Sequence, residues 1–189
     1  MTDLMRYAAE LDGAGQKGLP PVDKWHPEFC GEIDLVIKRD GTWVHEGTPI
    51  GRARLVRLFS TVLRREGDDY FLVTPVEKME IAVEDVPFLA VLMRREGEGE
   101  AQKLVFTSNV GDEAVAGPDH PLVFRADPET GERAPYIDMR SRLEARIARA
   151  VYYDLVALGE TRDIDGEEMF GVFSDGVFFP FGPASEVYE

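Results

Sequence analysis

Apolar and polar positions alternate over residues 32–38. Ile33, Leu35 and Ile37 fall on one side, with Glu32, Asp34 and Lys38 on the other. That is the pattern of a half-buried strand. Asp40-Gly41 follows, a pair suited to a type I′ turn because both central positions need positive φ. Trp43 and Val44 begin the return strand. Over residues 52–65 the period lengthens. Leu55, Leu58, Phe59, Val62 and Leu63 recur at i, i+3, i+4, i+7 and i+8, which predicts an amphipathic helix with one apolar stripe. Gly67 is placed to end it. Tyr70 to Val73 reads as a short buried strand. Residues 78–84 read as another, with Met79, Ile81 and Val83 against Lys78, Glu80 and Glu84. Pro75 marks the turn between them.

Farther on, residues 86–93 and 103–107 read as strands joined by a polar loop, and Asn109 to Pro121 as a Gly-, Asp- and Pro-rich connection. Leu122 to Arg125 reads as a strand. Asp127-Pro128-Glu129-Thr130-Gly131 is a turn in which Pro sets φ and Gly takes the left-handed position. Residues 141–155 predict a second amphipathic helix with Leu143, Ile147, Ala150 and Val151 inward. Met169 to Phe173 and Val177 to Phe181 flank Asp175-Gly176 as a hairpin. Near the start, Leu4, Tyr7, Ala8 and Leu11 predict a short helix over residues 2–11, capped by Thr2, ended by Gly13 and followed by a linker to Pro21.

A repeat emerges from this pass. Gly67-Asp68-Asp69-Tyr70-Phe71-Leu72-Val73 resembles Gly166-Glu167-Glu168-Met169-Phe170-Gly171-Val172. Upstream, Arg52, Arg54 and Leu55 align with Arg140, Arg142 and Leu143. Chance similarity between two ordinary stretches is the plainer reading; duplication is the reading favoured here. The expected fold class is α+β, with two related subdomains. Each is a small, mostly antiparallel sheet with one amphipathic helix. The expected divisions are an N-terminal arm over 1–24, a first subdomain over 25–85 and a second over 86–189.

Composition narrows the partners. Apolar residues make up 44% of the 189 residues, enough for a packed core and too many for a disordered chain. The net charge is −15, a field that repels phosphate backbones and anionic lipid unless positive charge is concentrated locally. No nucleic-acid or membrane partner is expected, while a protein partner stays open. Cys30 is the one cysteine, so no internal disulfide forms, which suits a reducing compartment. No segment has the length of a membrane span, the longest apolar run being Val86 to Met93. The start carries no signal-peptide pattern. A cytoplasmic location is expected.

Several strings together resemble a known family: Gly31-Glu32-Ile33-Asp34-Leu35, Asp40-Gly41-Thr42-Trp43, Gly47-Thr48-Pro49-Ile50-Gly51-Arg52, the run Leu55 to Lys78, Gly117-Pro118-Asp119-His120-Pro121-Leu122 and Ala134-Pro135-Tyr136-Ile137. They are similar to a bacterial family of unknown function whose members are tandem duplications of an α+β unit. The resemblance implies a second half that is pleckstrin-homology-like, a nucleotide-like ligand between the halves and a signalling role. It implies no catalytic set.

The residues themselves suggest where an anion would sit. Arg52, Arg54, Arg57, Arg64 and Arg65 lie in the first predicted helix with no acid among them. Arg140, Arg142, Arg146 and Arg149 lie at the second, with Glu144. Arginine suits phosphate because its planar fork donates two parallel hydrogen bonds. The plainer reading is a pair of solvated faces whose arginines pair with nearby acids. In the loop 109–121, Asp112, Asp119 and His120 could do acid–base work, or could be turn-forming residues. Asp154 falls on the apolar face of the second predicted helix, where burial would need a charged partner. His26, His45 and His120 are scattered without metal-ligand spacing. No phosphate-loop, dinucleotide or nucleophile-elbow motif occurs, and no metal or cofactor is expected. The leading expectation is therefore a non-enzymatic regulatory or signalling module. It would hold a small anionic, nucleotide-like ligand between the halves through Arg52, Arg57 and Arg142, with Asp112 and His120 at the mouth. The alternatives are a motif-poor hydrolase or transferase using Asp112, Asp119 and His120, and a protein–protein adaptor.

Overall fold

The computed structural model describes residues 6, 8, 9 and 18–187. The helix expected over residues 2–11 lies largely outside the described residues. The chain divides into two compact units, Met1–Asp85 and Val86–Glu189. Both are rich in sheet, most strand pairs are antiparallel, and the described residues contain three α-helices.

The first unit holds strands β1 (Phe29–Ile37), β2 (Trp43–His45), β3 (Thr48–Pro49), β4 (Leu63–Glu66), β5 (Asp69–Val73) and β6 (Lys78–Val83), with helix α1 (Ala53–Thr61) between β3 and β4. They form one sheet in the order β3-β2-β1-β6-β5-β4, with β1 and β6 parallel. Leu35, Ile37, Trp43, Phe59, Val62, Leu63, Leu72 and Val73 are its core. The second unit begins with β7 (Phe88–Glu96), β8 (Lys103–Ser108), β9 (Glu113–Val115), β10 (Leu122–Ala126), β11 (Arg133–Arg140) and β12 (Leu143–Ile147). Their order is β10-β11-β12-β7-β8-β9, with β12 and β7 parallel. From the other end this is the order of the first sheet, strand for strand. The second sheet curls until β9 approaches β11. Helix α2 (Arg149–Ala157), the meander β13 (Glu160–Ile164), β14 (Glu167–Ser174) and β15 (Val177–Pro183), and α3 (Ala184–Val187) complete the chain. Phe181 stacks on Phe124 of β10 with ring centroids 4.3 Å apart, joining meander to sheet.

The protein is more sheet than the expected α+β fold, because both predicted helices are cut short. The first spans 53–61 rather than 52–65. Ser60 and Thr61 donate their hydroxyls to the carbonyls of Arg57 and Leu58, both at 2.6 Å, a local bond that competes with helix propagation. Leu63 then pairs with Leu72 as a strand. Gly67, expected to end the helix, instead takes positive φ in the β4–β5 turn. Leu58, expected inside, is half-buried, whereas Phe59 is fully buried. The second predicted helix, 141–155, divides into a turn, strand β12 and helix α2. Leu143, Ala145 and Ile147 are buried at every second position, which is strand spacing. Asp154 is exposed, because the shortened helix buries Val151 and Leu155 instead.

Two further expectations change. At Asp40-Gly41 only Gly41 has positive φ, so the turn is not type I′. Lys38 N–H bonds Thr42 and Gly41 N–H bonds Lys38, the three-residue hairpin with one left-handed residue. The repeat is present in strand order but not in the register of the sequence match. By order β4 and β5 correspond to β10 and β11, not to the segment from Gly166, and α1 and α2 occupy non-equivalent places.

The turn at Asp127 forms as expected. Its Oδ1 accepts the N–H groups of Glu129 and Thr130 at 2.8 and 3.1 Å, and Gly131 has positive φ. The sequence did not reveal Arg146 of β12, which donates to the other carboxylate oxygen. Arg146, with these N–H groups, holds the Asp127 carboxyl well below the usual carboxylate range. A depressed folded-state value contributes stability that is present above the unfolded value and lost as pH falls through the folded one. The stability difference between the parent and Asp127→Asn is therefore expected to be largest near neutrality and to shrink on acidification. Urea unfolding across a pH series checks this.

Candidate functional site

Helix α1 is strongly amphipathic: Phe59 is buried and Leu55, Val56 and Leu58 are half-buried, while Arg52, Arg54 and Arg57 are exposed. Arg52 stands at its start, where no side chain caps the helix and no acid occupies the first turn. Exposed N–H groups give that end a partial positive charge, so the sequence places cations where the helix disfavours them. The side chains of Arg52 and Arg57 make no hydrogen bond or ion pair among the described residues. Arg64 and Arg65, expected on the same face, belong to β4. Arg64 donates to the carbonyls of Val22 and Trp25 at 2.9 and 2.7 Å and tethers the preceding turn. Arg65 bonds the Gly67 carbonyl and lies over the Tyr70 ring. Both arginines maintain the fold.

The other three candidates meet in the second unit, around the β11–β12 hairpin. Ser141 and Arg142 form its turn, both with positive φ, so exposed Arg142 sits in a hairpin turn rather than on a helix. Asp112, in the β8–β9 turn, accepts from Arg140 Nε at 2.9 Å. This ion pair is formed because the curled sheet carries that turn to β11. His120 Nδ1 donates to the backbone carbonyl of Asp138 at 2.9 Å. Asp119 is exposed. Asp112 and His120 thus buttress β11 from two connections.

Sequence reasoning missed the residues at the centre of this arrangement. No element is read from the sequence over residues 133–140, and β11 lies there between β10 and β12 with Pro135 within it. Along one of its faces run Ala134, Tyr136 and Asp138. Arg125 Cζ lies 3.8 Å from the centre of the buried Tyr136 ring and donates two hydrogen bonds to Glu144, at 2.7 and 2.9 Å. Glu144 stands opposite Asp138 in the β11–β12 register. The Asp138 carboxylate accepts the backbone N–H groups of Arg140 and Arg142, while its Oδ1 is buried without a hydrogen-bond partner. Burial raises the Asp138 carboxyl above its usual range and the Glu144 charge adds to this; His120 and the two N–H groups pull the other way. Period-two spacing of Tyr136, Asp138 and Arg140 was the available signal.

A cavity of about 520 Å³ lies in the first unit where the β1–β6 register slips between Glu32 and Val36. Glu32, Asp34 and Glu80 are among its lining residues, a set of carboxylates that repels an anion. No group of three or more His, Cys, Asp or Glu among the described residues is placed to hold a metal ion. Cys30 is free and exposed. No described helix is long and apolar enough to cross a membrane.

Two family models match in tandem. Residues 20–86 match the domain of unknown function DUF1285, N-terminal domain, and residues 87–181 match the protein of unknown function DUF1285, C-terminal domain. The chain belongs to the DUF1285 family. A DUF1285 family protein from Silicibacter pomeroyi DSS-3 has a crystal structure similar to this one, with 48% sequence identity and a TM-score of 0.88 over 97% of this chain and 98% of that one. A DUF1285 family protein from Shewanella baltica OS155 is similar at 27% identity and a TM-score of 0.52, over 66% of this chain and 91% of that one. Comparison with curated proteins yields no match. The DUF1285 assignment supports the bacterial, two-domain family expected from the sequence strings and names no activity.

Proposed function

We propose that this DUF1285 protein is a non-enzymatic regulatory module that binds a small phosphate-bearing anion, a nucleotide among the candidates, through Arg52 and Arg57. The observation that carries this reading is the pair itself. Two exposed arginines without partners stand on an uncapped helix of a chain with net charge −15. A cation at the positive end of a helix, where Arg52 stands, costs stability, and an anion there would offset the dipole and the Arg52 charge, with Arg57 farther along the same helix. Arg142, exposed at its hairpin turn, is the second unit's candidate for the same class of ligand, and Asp112 and His120 support the hairpin that presents it. The curled second sheet followed by α2 suits the pleckstrin-homology-like fold expected there, a fold-level analogy that carries no ligand. The hydrolase or transferase alternative draws less support, since Asp112 and His120 are engaged in bonds that hold β11.

Calorimetric titration with inorganic phosphate and with a nucleoside triphosphate tests the proposal. The parent is expected to bind, more weakly as salt rises. Arg52→Ala and Arg57→Ala should each weaken binding about tenfold or more, the scale of one charge-assisted hydrogen bond. A parent that binds neither anion, or variants that bind as the parent does, would overturn it.

A further inference from the structure

Ser141 and Arg142 hold positive φ, a conformation that residues with a Cβ adopt only at a cost in energy. The side chain that stabilises this turn is Asp138, through the N–H groups of Arg140 and Arg142. Its surroundings are poorly suited to an anion. Oδ1 is buried and has no partner, and the residue directly across the strand pair is Glu144. Like charges at opposed positions in a sheet repel, and a buried carboxylate without full hydrogen bonding is destabilised relative to its neutral form. Cationic neighbours are already engaged. Arg125 is bound to Glu144, Arg140 to Asp112, and His120 directs Nδ1 to the Asp138 backbone carbonyl rather than to its carboxyl. Arg142 meets the Asp138 carboxylate through its backbone N–H.

We propose that Asp138 is a proton-operated clamp on the β11–β12 turn. With a proton on Oδ1, the second oxygen still accepts the two N–H groups and the repulsion from Glu144 is gone, so the turn is held. When that proton leaves, the carboxylate is driven from Glu144 and toward water, and the strained turn that carries Arg142 loosens. The device is thus tightened by acid and released as pH rises through the raised folded-state value of Asp138. The sign agrees with linkage, because a group that holds its proton more tightly when folded stabilises the fold at low pH.

The test follows the Asp138 carboxyl carbon by NMR during a pH titration of the full chain, with the protection factors of the Arg140 and Arg142 amides. Asp138 is expected to titrate above the ordinary carboxylate range, and amide protection should fall as it ionises. Glu144→Gln should move that titration downward, which a merely structural role would not do. In Asp138→Asn, where an amide oxygen still accepts but no charge forms, protection should not vary with pH. Titration of Asp138 at or below the ordinary range overturns the proposal. So does amide protection that follows the same course in the parent and in Asp138→Asn. If Asp138→Asn does not fold, the carboxyl titration in the parent and in Glu144→Gln still decides.

Discussion

Replacing Phe59 by alanine is expected to lower stability by about 3–5 kcal/mol, the range for emptying a fully buried aromatic site. The ring is wholly inaccessible to solvent, near the end of a helix whose opposite side is arginine. Alanine is the better helix former, so any loss reports packing and not propensity. The half-buried Leu58 is the internal comparison, and its truncation should cost less. Urea unfolding with an unchanged slope would assign the effect to native-state packing. A loss below about 1 kcal/mol would place the ring outside the core, because surface changes are of that size.

The second large effect is expected at Gly171. A Cβ there would lie 2.3 Å from the carbonyl oxygen of Phe179 and 2.8 Å from Cα of Pro180. These are backbone atoms of the paired strand, which cannot rotate away as a side chain can. The register of β14 against β15 shifts between Phe170 and Gly171, and that irregularity brings the two backbones together. Gly171→Ala should therefore pry the strands apart, at about 3 kcal/mol or more, the upper end of overpacking costs. Gly176→Ala, at an open turn position with φ +80°, tests backbone strain alone and should cost roughly 1 kcal/mol. Equal stability of Gly171→Ala and the parent in urea would show that the strands do not pair in this register.

Gly171 also shows how the sequence match misled. In the aligned strings it stands opposite Leu72, as a position open to any residue. In the sheet it is a position where a Cβ collides with backbone. The halves do share one strand order, but the chemically similar strings around Gly67 and Gly166 are not its equivalent parts. A hairpin favours Gly and acids at its turn and apolar residues after it wherever it occurs, so two unrelated hairpins match by local chemistry alone.

The same distinction divides the site. Local chemistry was enough to mark β1, β5, β6, the turn at Asp127 and the Asp175-Gly176 hairpin, because alternation and turn residues act over a few neighbours. It marked the amphipathic stretch at Arg52 and Arg57 for the same reason. It could not decide whether Leu63 or Leu143 continues a helix or begins a strand, since each fits both periods and only a partner strand (β5 or β11) settles which backbone bonds form. Nor could it find the Asp138 cluster. Asp112, His120, Arg125 and Glu144 reach β11 from four places in the chain, and the curl and register of the second sheet bring them together. Hydrogen bonds between strands distant in sequence cost loop-closure entropy and are repaid only when the whole sheet assembles. Short-range patterns therefore determine the elements whose period is unambiguous, while assembly of the sheet determines where helix gives way to strand, which charges meet, which are buried and which remain exposed.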